Sequence, residues 1–585
     1  MACELLKALT GKFQSTVTAA VSGYVGSLLA EHAAAPEAAW KQKDCAIYLV
    51  IALTVRGKTG AMGATATNEL VNIGDFFTAH VVPELQAPPM RGSPVLKADA
   101  LKFLTTFRAQ LSKPACLAML PSLVALMCAE NNVVHSYAAL AVERMLLVRD
   151  GGVPRFSSSD LLPLREALLG GLFGALTLPE SRENDYVMKA LVRVLSVLGP
   201  DSRPVAASCA ERLAATMLEL ARNPRNPLFS HYLFEAVAVL VRHSADSPDA
   251  APRLEALLFP PFQEILQADL VDFSAYVFQV MAQLVELRPA PLPPQYLALF
   301  PPLLSPELWR RPGNVPALVR LLQAYLARAP AEVVAAGHLQ GVLGVFQKLN
   351  ASKAHDHEGF FILNALVEFL PPPAWAEHLP TVWSLLLQRL QSSRTQKYTR
   401  SFTVFLALLL AKQGPAWVAA GLDGVQAGLF AMLVEQVWLT GLAAVAGDTE
   451  RKLAAVAATK LLTEFPPLAS DAAAVLWGRL LEAAVVLLVD EAEEAQPGDA
   501  EEEEGRLPTA AAGGTPAFAR LASAARPETQ PVPEVRDARK FLAASIARMA
   551  AAQPGRLAPR IAAMLGQASQ AALAQMCVEA GVAVV

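Results

Sequence analysis

The chain has 585 residues, of which 54% are hydrophobic and 17% charged, with a net charge of -4 and a mean hydropathy of +0.35. That length exceeds what one hydrophobic core supports, and the acidic balance supplies no basic field to recruit nucleic acid. The apolar run Phe402–Ala411 is too short to span a bilayer and the run Leu480–Val489 is interrupted by Glu482, so no membrane insertion is expected; Met1-Ala2-Cys3-Glu4 does not begin a signal peptide.

In chain order, Leu5, Leu6, Leu9 and Phe13 open the sequence abruptly, like the second half of a helix pair. Arg56 to Asn68 is rich in Gly and Thr and reads as a flexible loop. Pro114 suits the first turn of an apolar helix running to Met127, and Pro121 is expected to kink or divide it. Asn131 and Asn132 then end a tight turn where an N-cap oxygen is useful. They open a helix whose stripe is Val134, Tyr137, Ala138, Ala141 and Met145. Two packed helices and a short turn form a unit that the rest of the chain repeats.

Taking Tyr137, Tyr186, Tyr232, Tyr276, Val319, Phe361 and Phe402 as anchors of successive inner helices, the residue numbers differ by 49, 46, 44, 43, 42 and 41. This is the range of HEAT-type helix pairs, roughly 40–47 residues, with a few longer loops. Each anchor follows a polar or turn cluster, such as Arg182–Asp185, Asn223–Pro227, Gln267–Asp269, Arg311–Asn314, His355–Glu358 or Ser392–Thr395. Leu-rich outer helices are predicted over Leu161–Leu176, Ala207–Ala221, Leu254–Leu266 and Leu339–Leu349, and no β-type alternation stands out. The fold class is therefore all-α, a HEAT-repeat α-solenoid built as a superhelical arch of antiparallel helix pairs. An acidic low-complexity segment at about 490–515 is expected to be a disordered loop, with helical pattern resuming near Val535. Cys3, Cys45, Cys116, Cys128, Cys209 and Cys577 form no CxxC pair, and since most sit inside apolar helical patterns they read as buried free thiols of a reducing compartment.

A resemblance now stands on specific runs. Val133-Val134-His135-Ser136-Tyr137-Ala138-Ala139 with Glu143-Arg144 resembles a repeat of the exportin-2 family, the cellular apoptosis susceptibility proteins of the importin-β superfamily. Ser22–Val25, Lys43–Val50, Leu172–Pro179, Tyr276–Met281, Gly313–Ala324, Gly344–Leu349, Ala351–Ala354 and Lys460–Glu464 agree in the same order, while the match weakens beyond Val489. The resemblance implies a nuclear transport receptor that carries importin-α out of the nucleus with Ran-GTP, meets nuclear pore components, and shuttles between nucleus and cytoplasm. It assigns residues 1–155 to the end of the family's central HEAT region and 156–585 to its C-terminal HEAT region. Family members are considerably longer and carry an N-terminal domain with a major Ran contact, so Ran binding is expected to be weakened or lost here. The rival reading is a generic HEAT scaffold, or a cargo-binding fragment without Ran control.

No catalysis is expected. GxSxG and HExxH are missing, and Arg56-Gly57-Lys58-Thr59 follows Ala52 where a P-loop needs Gly, so neither cofactor nor catalytic residue is assigned. His355-Asp356-His357-Glu358 has metal-ligand chemistry but reads as an inter-helix turn capping a helix that begins near Gly359; no metal is assigned. Inner helices line the face on which a solenoid holds its partner. Polar residues there are the partner-binding candidates: Glu143, Arg144, Lys189, Arg193, Glu235, Arg320, Asn364 and Lys397. Arg56, Lys58 and Asn68 join them, because Arg56–Asn68 resembles the family's insertion that bridges toward Ran and cargo. The acidic segment Asp490–Glu504 is a further candidate for the basic arm of importin-α.

Overall fold

A computed structural model describes residues 2–57, 59–60, 63–221, 223, 225–244, 247–489, 519–526 and 529–583. The acidic segment and Lys58 lie outside these residues. The chain forms two compact units, Met1–Val280 with Ala519–Ala525, and Met281–Phe518 with Arg526–Val585.

In the first unit the main helices are α1 (Ala2–Lys12), α2 (Gln14–Ala34), α3 (Trp40–Thr54), α4 (Pro94–Phe107), α5 (Lys113–Met127), α6 (Asn132–Leu146), α7 (Arg165–Ala175), α8 (Asp185–Leu198), α9 (Arg203–Ala221), α10 (Pro227–Ser244), α11 (Ala250–Gln267) and the start of α12 (Val271–Leu287). Helices α3, α4, α6, α8 and α10 pack side by side as one layer, and α2, α5, α7 and α9 pair with them from behind. Phe234 of α10 continues the layer by stacking on Tyr276 of α12 at 5.0 Å between ring centroids. In the second unit α13 (Val315–Arg328), α15 (Asp356–Phe369), α17 (Gln396–Gln413), α18 (Asp448–Glu464) and α20 (Ala538–Ala552) form the inner layer. Helices α14 (Leu339–Asn350), α16 (Leu379–Ser392), α19 (Ala474–Val489), α21 (Leu557–Met564) and α22 (Gln567–Ala580) complete the pairs. The all-α solenoid expected from the repeat period is the architecture observed.

Local chemistry explains where helices start. The Asn131 side chain accepts from the backbone N–H of Val133 and Val134 at 3.1 and 3.3 Å. Asn184 and Thr395 cap α8 and α17 in the same way. The predicted outer helices recur within a few residues as α9, α11 and α14, while Leu161–Leu176 is broken by a 3-10 turn at Leu162–Leu164 before α7.

Four expectations change. Cys116, Cys209 and Cys577 are buried as expected, but Cys3, Cys45 and Cys128 are exposed. Pro121 does not divide α5, which is one helix from Lys113 to Met127. The His355–Glu358 turn is already helical from Asp356. The anchors do not share one environment: Val319 and Phe402 are core residues, but Tyr137, Tyr186 and Phe361 are 37%, 47% and 45% exposed. In α6 the buried stripe is Val134, Ala138, Ala141 and Met145. Tyr137 falls on its flank, one residue from Ala138 and therefore about 100° round the helix.

Among the described residues one helix, Asp471–Val489, is long and apolar enough by length and composition to cross a bilayer. Its Trp477, Leu480, Leu481, Ala484, Val485 and Leu488 are buried, and it packs on α18, α21 and α22. Glu482, half-buried on this helix, accepts from Ser569 Oγ at 2.6 Å and Gly566 N at 3.3 Å, while Val475, Val486 and Val489 on its other side are exposed.

Candidate partner-binding face

The predicted loop after α3 is a small antiparallel hairpin, not a structureless insertion. Val55 bridges to Thr67, and β1 (Thr59–Gly60) pairs with β2 (Gly63–Ala64). Gly63 has φ +91°, and a Cβ there would come within 2.8 Å of Arg108 Nη1 and Thr106 O, so the hairpin lies directly on the end of α4. Gln110 Nε2 donates to Ala64 O at 2.7 Å. Asn68 closes the base: its Nδ2 donates to Thr18 Oγ1 at 2.9 Å and Leu53 O at 3.3 Å, and its Oδ1 accepts from Gln14 Nε2 at 2.7 Å. Asn68 is 1% exposed, so its side chain anchors the hairpin and offers no surface to a partner. Arg56 is exposed.

Beside the hairpin is a cavity of about 270 Å³ lined by Gly63, Lys102, Arg108, Tyr137, Leu140 and Arg144. Burial, together with the nearby Arg144 charge, pushes the Arg108 guanidinium down to about 10. Lys102 donates to Tyr48 Oη at 3.2 Å and lies over that ring. The carboxylate of Glu143 is beneath this surface, 1% exposed, with Arg144 Nε at 3.2 Å and Lys189 Nζ at 3.8 Å. Glu143 therefore holds cations in place instead of reaching outward. Arg144 and Lys189 keep part of their side chains exposed, and Lys189 lies over the Tyr232 ring at 5.5 Å. Arg193, one turn on from Lys189 in α8, is half-buried.

Glu235 of α10 is likewise buried, at 4% exposure. Its two oxygens accept from the backbone N–H of Ala522 at 2.6 Å and Ser523 at 2.8 Å. His231 Nε2 is 3.7 Å away, its basicity lowered by burial. Glu235 thus already has a ligand, supplied by the same chain.

In the second unit Arg320 makes a two-point ion pair with Glu286, Nε at 3.2 Å and Nη2 at 2.7 Å. Asp356 pairs with Arg389 Nη2 at 2.6 Å, both buried, so the most metal-like run of the sequence spends that carboxylate on an arginine. Asn364 is half-buried, and among the described residues its Oδ1 has no hydrogen-bond partner. Lys397 is exposed.

Two family models cover nearly all of this scaffold. One, described as Cse1, matches residues 1–142, and the other, described as CAS/CSE protein, C-terminus, matches residues 143–576. The chain belongs to the CAS/CSE family. Among its relatives, Exportin-2 of Bos taurus and of Homo sapiens are each 41% identical over 561 residues, which is 95% of this chain and 58% of theirs. Exportin-2 of Xenopus laevis is 40% identical over 569 residues. The chain thus spans about 58% of the length of these relatives. The structure of "The exportin Cse1 in its cargo-free, cytoplasmic state" superposes with TM-score 0.82 at 27% identity, covering 99% of this chain and 59% of that one. A bidirectional nuclear transport receptor of S. cerevisiae has a similar fold, with TM-score 0.52 at 12% identity.

Within this CAS/CSE chain, the geometry brings Arg144, Lys189 and the hairpin to one side of the first unit. It places Asn68, Glu143 and Glu235 inside. Sequence reading passed over Lys102, Arg108 and Gln279. Arg108 follows the apolar stripe of α4 in a loop-like stretch, and only the hairpin lying on it marks it out. Residues 519–526 sit in Ala-rich sequence with no periodicity to single them out.

Proposed function

We propose that this chain acts in a nuclear export receptor that returns importin-α from nucleus to cytoplasm together with Ran-GTP. The observation that carries this reading is the 41% identity to Exportin-2 over 95% of the chain. Each unit offers its own partner-binding face, the exposed part of its inner layer: Arg144, Lys189, Lys102 and Tyr137 beside the hairpin in the first unit, and Lys397 in the second. Arg56 extends the first group. A cationic rim with an exposed tyrosine suits acidic and amide-rich partner surfaces, because cations and aromatic rings contribute disproportionately at protein interfaces. The chain works by binding and release; nuclear pore components are transient partners during its shuttling, and its relatives are exportins, not enzymes. Residues 1–155 and 156–585 correspond in this reading to the central and C-terminal HEAT regions of the longer relatives.

The test is capture of importin-α by the purified chain, with and without Ran held in its GTP form. Capture that strengthens with Ran-GTP supports a Ran-controlled receptor. Capture indifferent to Ran points to a cargo-binding fragment without that control, and no capture at all favours a HEAT scaffold.

A further inference from the structure

Residues 519–525 lie across α10 and α12 of the first unit, and their main chain is held almost entirely by side chains. Gln279 uses both ends of its amide: Oε1 accepts from Leu521 N at 2.9 Å and Nε2 donates to Ala519 O at 3.1 Å. Glu235 takes the next two N–H groups, of Ala522 and Ser523. Arg242 Nη2 donates to Ala522 O at 3.3 Å and Ala525 O at 3.1 Å. Leu521 and Ala524 point inward and are fully buried, while Arg520 and Ala522 are exposed.

This pattern differs from ordinary repeat packing. Gln279 engages the segment as a neighbouring strand would, one donor and one acceptor on alternate groups. Glu235 and Gln279 are 4% and 1% exposed with the segment in place, so the segment seals the groups that grip it. Charge-assisted bonds from two N–H groups to one carboxylate are the strong kind. The carboxylate and amide are satisfied here by the segment's N–H and C=O groups, and water takes over those hydrogen bonds when the segment leaves. The segment turns at Ala522–Ala525, where Ala525 N donates to Ala522 O at 3.0 Å, so the groove reads the main-chain groups of a turn plus two pockets and tolerates other side chains.

We propose that the groove of Glu235, Arg242 and Gln279 is a binding site for a polypeptide segment recognised through its main chain. It takes an apolar side chain followed three residues later by an alanine-sized one. Residues 519–525 are its occupant in cis and keep the site closed to other segments until they leave.

Two experiments on the full chain test this. The first is hydrogen exchange of the amides of Leu521, Ala522 and Ser523. Slow exchange is expected; exchange at the rate of the free peptide overturns the proposal. The second uses a labelled peptide of residues 519–526, followed by fluorescence anisotropy. The partner in the titration is the chain with 519–525 replaced by Gly and Ser at equal length, checked for unchanged helicity by circular dichroism. Saturable binding is expected there, with affinity on the order of tenfold weaker both for the intact chain, whose groove is filled, and for Glu235→Gln in the replaced background. Equal binding to intact and replaced chains, no binding to the folded replaced chain, or insensitivity to Glu235→Gln each overturns the proposal. Should the replaced chain fail to fold, Leu521→Asp in the otherwise intact chain opens the groove instead and is titrated with the same peptide, with the same two outcomes. Neither experiment uses importin-α or Ran, so a failure here leaves the transport reading standing, and a failure of that reading leaves this one intact.

Discussion

Glu235 in the first unit and Asp356 in the second pose one problem, a carboxylate on an inner helix taken out of water. They solve it differently. Asp356 receives Arg389 from α16, a helix of the adjacent pair. Glu235 receives two backbone N–H groups from residues nearly 290 positions on. A partner fixed inside the repeat stack comes with the fold and leaves only if the fold does. A partner delivered by a distant segment can leave while every helix stays in place. The same buried charge is scaffold in one unit and a conditional contact in the other. A third carboxylate, Asp99 of α4, takes neither route. Burial and the neighbouring Asp44 raise it to about 7, so it meets burial by holding its proton.

The largest effect should come from breaking the fixed pair. Arg389→Ala leaves Asp356 buried and unpaired and is expected to destabilise the chain by about 3–5 kcal/mol in chemical denaturation, as for other buried pairs cut on one side. A loss under about 1 kcal/mol would mean that the pair is not fixed, and the contrast with Glu235 would collapse.

Asp99 should give the next largest effect, and its sign is set by its raised value. Between roughly pH 4 and 7 the native state keeps a proton that the unfolded chain has released, so stability falls as pH rises through that window and recovers as pH is lowered. Asp99→Asn, which mimics the protonated form, should remove about 2–4 kcal/mol of the difference in stability between pH 8 and pH 4.5. Parallel pH–stability curves for the two proteins would show that Asp99 ionises normally.

Asn68→Ala tests a polar anchor with no charge. It removes the bonds tying the hairpin to α2 and α3 and should cost about 2–3 kcal/mol. Limited proteolysis should find the hairpin more readily cut, with the second unit unaffected.

The smallest global effect is expected at the conditional contact. Leu521→Asp should lower overall stability by under about 1 kcal/mol, since the helices do not depend on the segment, while amide exchange at Ala522 and Ser523 rises to the rate of an open chain. A loss as large as that of Arg389→Ala would make the segment part of the scaffold and abolish the distinction between the two units.

The helix pairs, their order and most of their starts were legible in the sequence, because they depend on neighbours a few residues apart. Asn131, Asn184 and Thr395 cap helices with atoms that reach only two or three residues along the chain. Repetition at 41 to 49 residues follows from the need of each pair to bury a face against the next. His135 could be read as a packing or capping residue, and its ring bonds to Ala129 O and to Ser181 of the next repeat.

Which polar residues stay available to a partner was decided by tertiary structure alone. Glu143 and Arg144 are adjacent in sequence, and a rotation of about 100° along α6 buries one and leaves the other partly exposed. Glu143 and Glu235 resembled surface groups because a polar residue on an inner helix carries no mark of what will face it, and Asn68 did so because a polar residue in a Gly- and Thr-rich connection carries none either. The sequence by itself determined the repeating helix pairs, through short-range capping and periodic burial. The hairpin on Arg108 and the segment on Glu235 needed the folded chain, because each brings together residues that only a three-dimensional path can make neighbours.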